Sequence, residues 1–215
     1  MNNLLARCIV IYAAAAWPVC SQILSPPTTV PPATVGYSQA REALSHITYV
    51  QRRDPWQKSD QVVTSLHLAR TEVVAELGGQ AGYFARRMAK LAARVYVIDE
   101  QPAVLYWSRI EPPDNMLALN WSRGSFPLVA QSVDVIFFHD LLTTVNDITS
   151  YLGEITKALK PKGRIYILEF TKTTKTLSPA LQLTRLTSEL QALGFVQTED
   201  YPFLDKQVLQ GFTHR

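Results

Sequence analysis

Residues 73–90 read VVAELGGQAGYFARRMAK: an apolar run, a glycine-bearing turn, then the start of a helix. Many folds build a nucleotide pocket in this order, because glycine takes positive φ and lets the backbone come close to a ligand. Such loops usually repeat glycine at alternate positions. Here Gly78 and Gly82 flank Gln80. If position 80 needs positive φ, its side chain costs about 1–2 kcal/mol, and about 1.4 kcal/mol is a tenfold loss of affinity.

Working outward, strand and helix patterns alternate. EVVAEL is a strand, residues 82–93 a helix, RVYVID a strand, 102–110 a helix, and NMLALN and SVDVIFF two further strands. Asn146 or Asp147 caps a helix running to about residue 159, KPKG stops it, and RIYILEF is the fifth strand. A helix opened by Ser178 and Pro179 ends at Gly194, and FVQTEDY and KQVLQGFT follow as two strands, the last running antiparallel to its neighbour. Upstream, residues 37–47 and 58–69 read as helices, the second with Val62, Val63, Leu66 and His67 on one face. The pattern predicts an α/β fold: a Rossmann-like, seven-stranded, mostly parallel sheet with an antiparallel last strand and helices on both faces.

The remainder of the chain is of a different kind. Residues 1–21 place Arg7 before a short apolar run and then small residues, the layout of a signal peptide. The run is too short for a permanent membrane span, so export to a periplasmic or extracellular space is expected, with a cytoplasmic or membrane-tethered protein as the alternative if the segment is not cleaved. Residues 22–36 are a Pro-rich linker, and 37–215 form the expected domain. Both cysteines, Cys8 and Cys20, precede residue 22, so a processed chain has no disulfide and no thiolate metal site. A formal charge of +3 with 18% charged residues indicates no nucleic-acid partner.

In an open parallel sheet the ligand crevice lies at the carboxyl ends of the central strands. The residues there are Glu76, Gly78, Gln80 and Gly82, then Asp99 and Glu100, then residues 120–125, then His139 and Asp140. A carboxylate such as Asp99 at the end of a second strand can accept hydrogen bonds from ribose hydroxyls. If a substrate must lose a proton, Asp140 or His139 is the candidate catalytic base. Arg52, Arg53, Arg86, Arg87 and Lys90 read as solvated charges. Trp56, Trp107 and Trp121 could line an apolar mouth, with core packing expected for at least two of them. No histidine spacing indicates a metal site.

Taken together, VVAELGGQAGYFARRMA, VYVIDEQP, FPLVAQSVDVIFFHD and YLGEITKALKPKGRIYILEF resemble, in order, the motifs of the class I S-adenosylmethionine-dependent methyltransferases. RRDPWQKSD is similar to the lead-in of a bacterial branch whose members often carry signal sequences. The resemblance covers residues from about 52 onward and implies S-adenosylmethionine as cofactor. It places Glu76 and Gly78 near the methionine amino and carboxylate groups, Gly82 at the helix start and Asp99 on the ribose. It also sets Ser122 where relatives often have an aspartate reading the adenine amine, and Asp140 toward the methionine part or the substrate. The glycine motif is degenerate at Gln80. The implied function is methyl transfer to a small-molecule substrate; the alternative is a non-catalytic binding module whose cofactor loop has decayed. Holding nucleophile, methyl and sulfur in line demands few catalytic groups. The oligomeric state is not legible in the sequence.

Overall fold

A computed structural model describes residues 52–79, 82–100, 102–122, 124–141, 145, 147–171 and 179–215. The expected signal, the linker, the helix over 37–47 and Gln80 all lie outside the described residues. By its internal contacts the chain divides into Met1–Ala40 and Arg41–Arg215, and all described residues belong to the second unit. Among the described residues no helix is long and apolar enough to cross a membrane.

The elements in chain order are α1 (Asp54–Gln57), α2 (Ser59–Ser65), β1 (Val73–Leu77), α3 (Ala85–Met88), β2 (Arg94–Asp99), α4 (Pro102–Ser108), β3 (Met116–Asn120) and β4 (Val133–His139). Then follow α5 (Ile148–Ile155), β5 (Leu159–Phe170), α6 (Pro179–Ala192), β6 (Phe195–Tyr201) and β7 (Gln207–His214). They build one seven-stranded sheet in the order β3-β2-β1-β4-β5-β7-β6. The pairs from β3 to β5 are parallel, and β7 runs antiparallel to both β5 and β6. This is the expected α/β fold, with the antiparallel pieces at the end of the chain.

Apolar side chains fill both faces of the sheet, which is why β1 and β4 read as almost unbroken apolar runs. One face packs Ala75, Leu77, Ile136 and Phe138 against Leu152 and Ile155 of α5 and Leu186 and Leu190 of α6. The other packs Val74, Val97, Val135 and Phe137 against Val62 and Val63 of α2, Phe84, Met88 of α3 and Leu105 of α4. The chain steps outward from β1 to β2 and β3, then returns to lay β4 on the opposite side of β1. The switch point is therefore the cleft between β1 and β4, where an open sheet leaves room for a ligand.

Several local readings need correction. The helix expected over 58–69 starts one residue later, because Lys58 takes φ +48 between α1 and α2, and it ends at Ser65, before His67, which has φ +49. Val62, Val63 and Leu66 are buried as expected, whereas His67 is exposed. Only Ala85–Met88 of the helix expected over 82–93 is regular. The helix ends before KPKG as expected, but the fifth strand begins at Leu159 rather than at Arg164, so KPKG lies within β5, where the pairing advances two residues on β4 (Val133 to Val135) and five on β5 (Leu159 to Arg164). The cap of α5 is Asp147, whose side chain accepts from the Ser150 amide at 3.1 Å.

Candidate active site

The glycine turn is set by space as much as by backbone torsion. Gly78 has φ +79 and Gly82 φ +76, and the Gly82 amide donates to the Gly79 carbonyl at 2.7 Å. A Cβ on Gly79 would fall 2.6 Å from Val97 Cγ1, and one on Gly82 would fall 2.6 Å from Met116 Cε. The turn is thus pressed onto β2 and β3, which holds its backbone at the carboxyl edge of the sheet.

Glu76 lies directly beneath it. The residue is fully buried, and neither carboxylate oxygen has a well-formed hydrogen bond among the described residues. Burial is the main reason that its pKa is pushed up to about 8, and Asp99 adds to the shift; the Ala85 amide and the charge of Arg53 oppose it more weakly. A buried acid without a firm partner is costly unless a ligand supplies one.

Across the cleft, His139 ends β4 with no exposed surface, and Asp140 follows with φ +48. Left-handed backbone is uncommon outside glycine, although aspartate tolerates it better than most residues. A ring of buried side chains encloses this corner. Arg53 Nε donates to Gln57 Oε1 at 2.7 Å, Gln57 Nε2 to Gln207 Oε1 at 2.9 Å, and Gln207 Nε2 to Asp140 Oδ1 at 2.8 Å. The ring closes where Arg53 Nη2 stands 3.7 Å from Asp140 Oδ2.

His139 Nε2 sits inside the ring, 2.7 Å from Arg53 Nη2, 3.2 Å from Gln57 Nε2 and 3.1 Å from Asp140 Oδ2. Two of those neighbours can only donate, so we assign Nε2 as the acceptor and Nδ1 as the protonated nitrogen. Burial, opposed by Asp140, keeps the imidazole pKa below its ordinary value and the ring neutral. The edge of His139 meets Phe84 at a ring distance of 4.7 Å, which ties β4 to the segment following the glycine turn.

The segment before β1 is fastened to the same turn. Tyr83 shares hydrogen bonds with Ser59 and Asp54, and Arg87 Nη2 lies 2.9 Å from both Asp54 oxygens. The Tyr83 ring has the guanidinium carbons of Arg87 at 4.4 Å and of Arg53 at 4.9 Å from its centre. Helix α1 is consequently clasped at one end to the residue after Gly82 and at the other, through Gln57, to the ends of β4 and β7.

The structure brings Glu76, Gly78, Gly82, His139 and Asp140 to the two sides of the switch point. Asp99 stands at the end of β2, half-buried and opposite Asn120 of β3, and electrostatically close enough to Glu76 to raise its pKa. Ser122 is exposed in a turn that bridges it to Ser125, two strands from the glycine turn. Trp121 belongs to the core against Tyr151 and Phe126, while Trp56 is half-buried against Phe170. The main correction concerns Arg53, which reads as a solvated charge in the sequence and is only 1% exposed in the structure. Gly79, Gln57 and Gln207 are not singled out by the strand-end pattern; the glycine pair at 78–79 and the lead-in RRDPWQKSD, which contains Gln57, are the signals present, while Gln207 carries none. Among the described residues no group of three or more histidine, cysteine or acidic side chains could hold a metal.

Residues 75–167 match a methyltransferase domain. The demethylmenaquinone methyltransferase of Tropheryma whipplei (strain Twist) is 28% identical over 114 residues, covering 52% of this chain and 47% of that protein. The chain therefore spans about half the length of that curated relative. Among solved structures, a SAM-dependent methyltransferase from Aquifex aeolicus superimposes with a TM-score of 0.67 at 17% identity, covering 78% of this chain and 98% of the other. A TehB-like SAM-dependent methyltransferase from Corynebacterium glutamicum gives 0.61 at 13% identity, covering 80% and 100%. At such identities the two superpositions speak for the fold, which is the methyltransferase fold.

S-adenosylmethionine is the cofactor that this domain and fold imply. The residues present fit it. The glycine turn packs bare backbone against β2, β3 and the end of β4, and the buried Glu76 carboxylate beneath it has no well-formed hydrogen bond among the described residues, which a cationic amine would supply.

Proposed function

We propose that this chain is an S-adenosylmethionine-dependent methyltransferase acting on a small-molecule acceptor. The observation that carries this reading is Glu76: a fully buried carboxylate, without a well-formed hydrogen bond among the described residues, beside a glycine turn at the switch point of a methyltransferase fold. The family match over 75–167 supports the same reading.

In the proposed site the backbone at Gly78 and Gly82 lines the amino-acid end, Glu76 receives the ammonium group, and Asp99 accepts from the ribose hydroxyls. Ser122 is assigned to the adenine side, where its hydroxyl can accept or donate. When bound, the sulfonium supplies an activated methyl group, so the protein's part is chiefly alignment. Asp140 is the group assigned to the acceptor, as base or as an electrostatic partner. Its carboxylate is fixed by Gln207 and Arg53, and His139 holds the ring from beneath as a positioning residue.

The match to a demethylmenaquinone methyltransferase makes an aromatic, redox-related acceptor a natural first class to try. Residues 1–21 are proposed to direct export. Equilibrium dialysis of the full chain against methyl-labelled S-adenosylmethionine tests the cofactor assignment. Saturable retention, lowered at least about tenfold by Asp99→Ala, is expected from loss of a charge-assisted pair of hydrogen bonds. Equal retention by the natural chain and Asp99→Ala contradicts the placement of the ribose.

A further inference from the structure

The residues that adjoin the polar ring on its outer side are aromatic or cationic. Trp56 precedes Gln57 on α1, Lys206 precedes Gln207, and Phe170, the last residue of β5, is paired in register with Gln207. Alternation along β5 and β7 turns Phe170 and Gln207 to the same side of the sheet as Tyr166, Leu168 and Leu209, the side on which α1 lies. The Trp56 and Phe170 rings stand 5.8 Å apart at 34°, and both are half-buried, so each keeps an open surface at the carboxyl end of β5.

The Lys206 ammonium stands 5.1 Å from the centre of the Trp56 ring. Lys206 is exposed, yet its backbone is fixed: its carbonyl accepts from the Thr171 amide at 2.9 Å and from the Thr171 hydroxyl at 3.1 Å. Among the described residues no carboxylate pairs with this ammonium, whereas Lys160 is held by Asp134 and Lys58 by the Phe203 carbonyl. A cation above an aromatic pair, without an acid of its own, complements a flat aromatic anion. A neutral aliphatic ligand leaves the charge unused, and a cationic one is repelled by it. The surface also adjoins the acid assigned to the acceptor, because Gln207 joins Asp140 to the strand start that follows Lys206.

We propose that Trp56, Phe170 and Lys206 form the acceptor mouth and that the acceptor is a planar aromatic molecule bearing an ionised acidic group; the role as acceptor mouth rests on the methyltransferase reading above. The ring of the acceptor packs against the two aromatic side chains, and the ammonium leaves the indole face to meet the anion. An exposed cation–π contact is weak and is readily exchanged for an ion pair partly shielded by the bound ring.

Two probes isolate the charge. The first, 2-naphthoate, carries the flat ring and the anion, and the second, 2-naphthamide, has the same ring without the charge. Calorimetric titration of the full chain, Lys206→Met and Phe170→Leu with both probes is the test, and S-adenosylhomocysteine titrated into the same proteins reads the cofactor site separately. The natural chain is expected to prefer 2-naphthoate by at least about fivefold, and Lys206→Met to remove that preference while binding 2-naphthamide within about twofold of the natural chain. Phe170→Leu should weaken both probes together, by about threefold or more. S-adenosylhomocysteine affinity within about twofold of the natural chain shows that each variant is folded. Equal affinity of the natural chain for the two probes, a preference that survives in Lys206→Met, or no saturable binding of 2-naphthoate overturns the proposal. If S-adenosylhomocysteine binds and the probes do not, the proposal fails while the cofactor assignment stands. If 2-naphthoate binds with the expected preference and S-adenosylhomocysteine does not, the methyltransferase reading falls, and with it the role of this surface as an acceptor mouth.

Discussion

A Cβ built on Gly78 would stand 2.2 Å from the carbonyl oxygen of His139. The end of β1 and the end of β4 therefore approach as closely as a bare backbone permits, and Gly78 also has φ +79. Gly78→Ala should destabilise the fold by more than the ~1–2 kcal/mol of left-handed strain alone, because the clash is with backbone. Gly124 is the control: it has φ +88 but no atom within 4 Å of an added Cβ, so Gly124→Ala should show only the strain. Urea unfolding midpoints measure both. Equal losses would show that the β1 to β4 approach is not tightly held.

The acid under the turn predicts an unusual pH dependence. Burial raises the Glu76 pKa from 4.5 to about 8, so the folded protein keeps a proton that the unfolded chain releases. For this group stability is complete below the unfolded pKa and is lost as pH rises toward the folded one, with a slope approaching ~1.4 kcal/mol per pH unit. His139 acts in the opposite sense: its pKa lies below the ordinary 6.5, and its contribution is lost as pH falls through that region. Between pH 6.5 and 8 the Glu76 effect should dominate. Thermal unfolding of the ligand-free chain should show Tm falling across that window, and Glu76→Gln should flatten the fall. An unchanged slope in Glu76→Gln would contradict the protonated, unpaired acid.

Gln207 is buried and joins Gln57 to Asp140 within the polar ring. Gln207→Leu removes both bonds from a buried ring, a net cost of about 0.5–1.5 kcal/mol for each. The denaturant midpoint should fall accordingly. A variant as stable as the natural chain would mean that water or a rearranged side chain serves the ring equally well.

Much of the fold and of the site is legible in the sequence, for identifiable reasons. The parallel strands are apolar because both faces are covered, so VVAEL and VIFF declare themselves by composition. Strand ends then indicate Glu76, Asp99 and Asp140, since the crevice of an open sheet lies there. Arg53 was hidden because its burial depends on contacts with Tyr83, His139 and Asp140, all distant in sequence, and on the break at Lys58 that α1 shares with α2. The start of β5 was hidden for a related reason. Proline and glycine signal a stop, but the irregular pairing of β5 with β4 accommodates them inside the strand.

The natural chain is proposed to bind S-adenosylmethionine with glutamine rather than glycine at position 80. Titrating S-adenosylhomocysteine into the full chain and into Gln80→Gly by calorimetry tests it most directly. Saturable binding by the natural chain is expected, tightened by about tenfold or less in Gln80→Gly, the most that a positive φ at position 80 would cost a non-glycine residue. No binding by the natural chain, with binding restored by Gln80→Gly, would contradict it and identify a methyltransferase fold that no longer holds its cofactor.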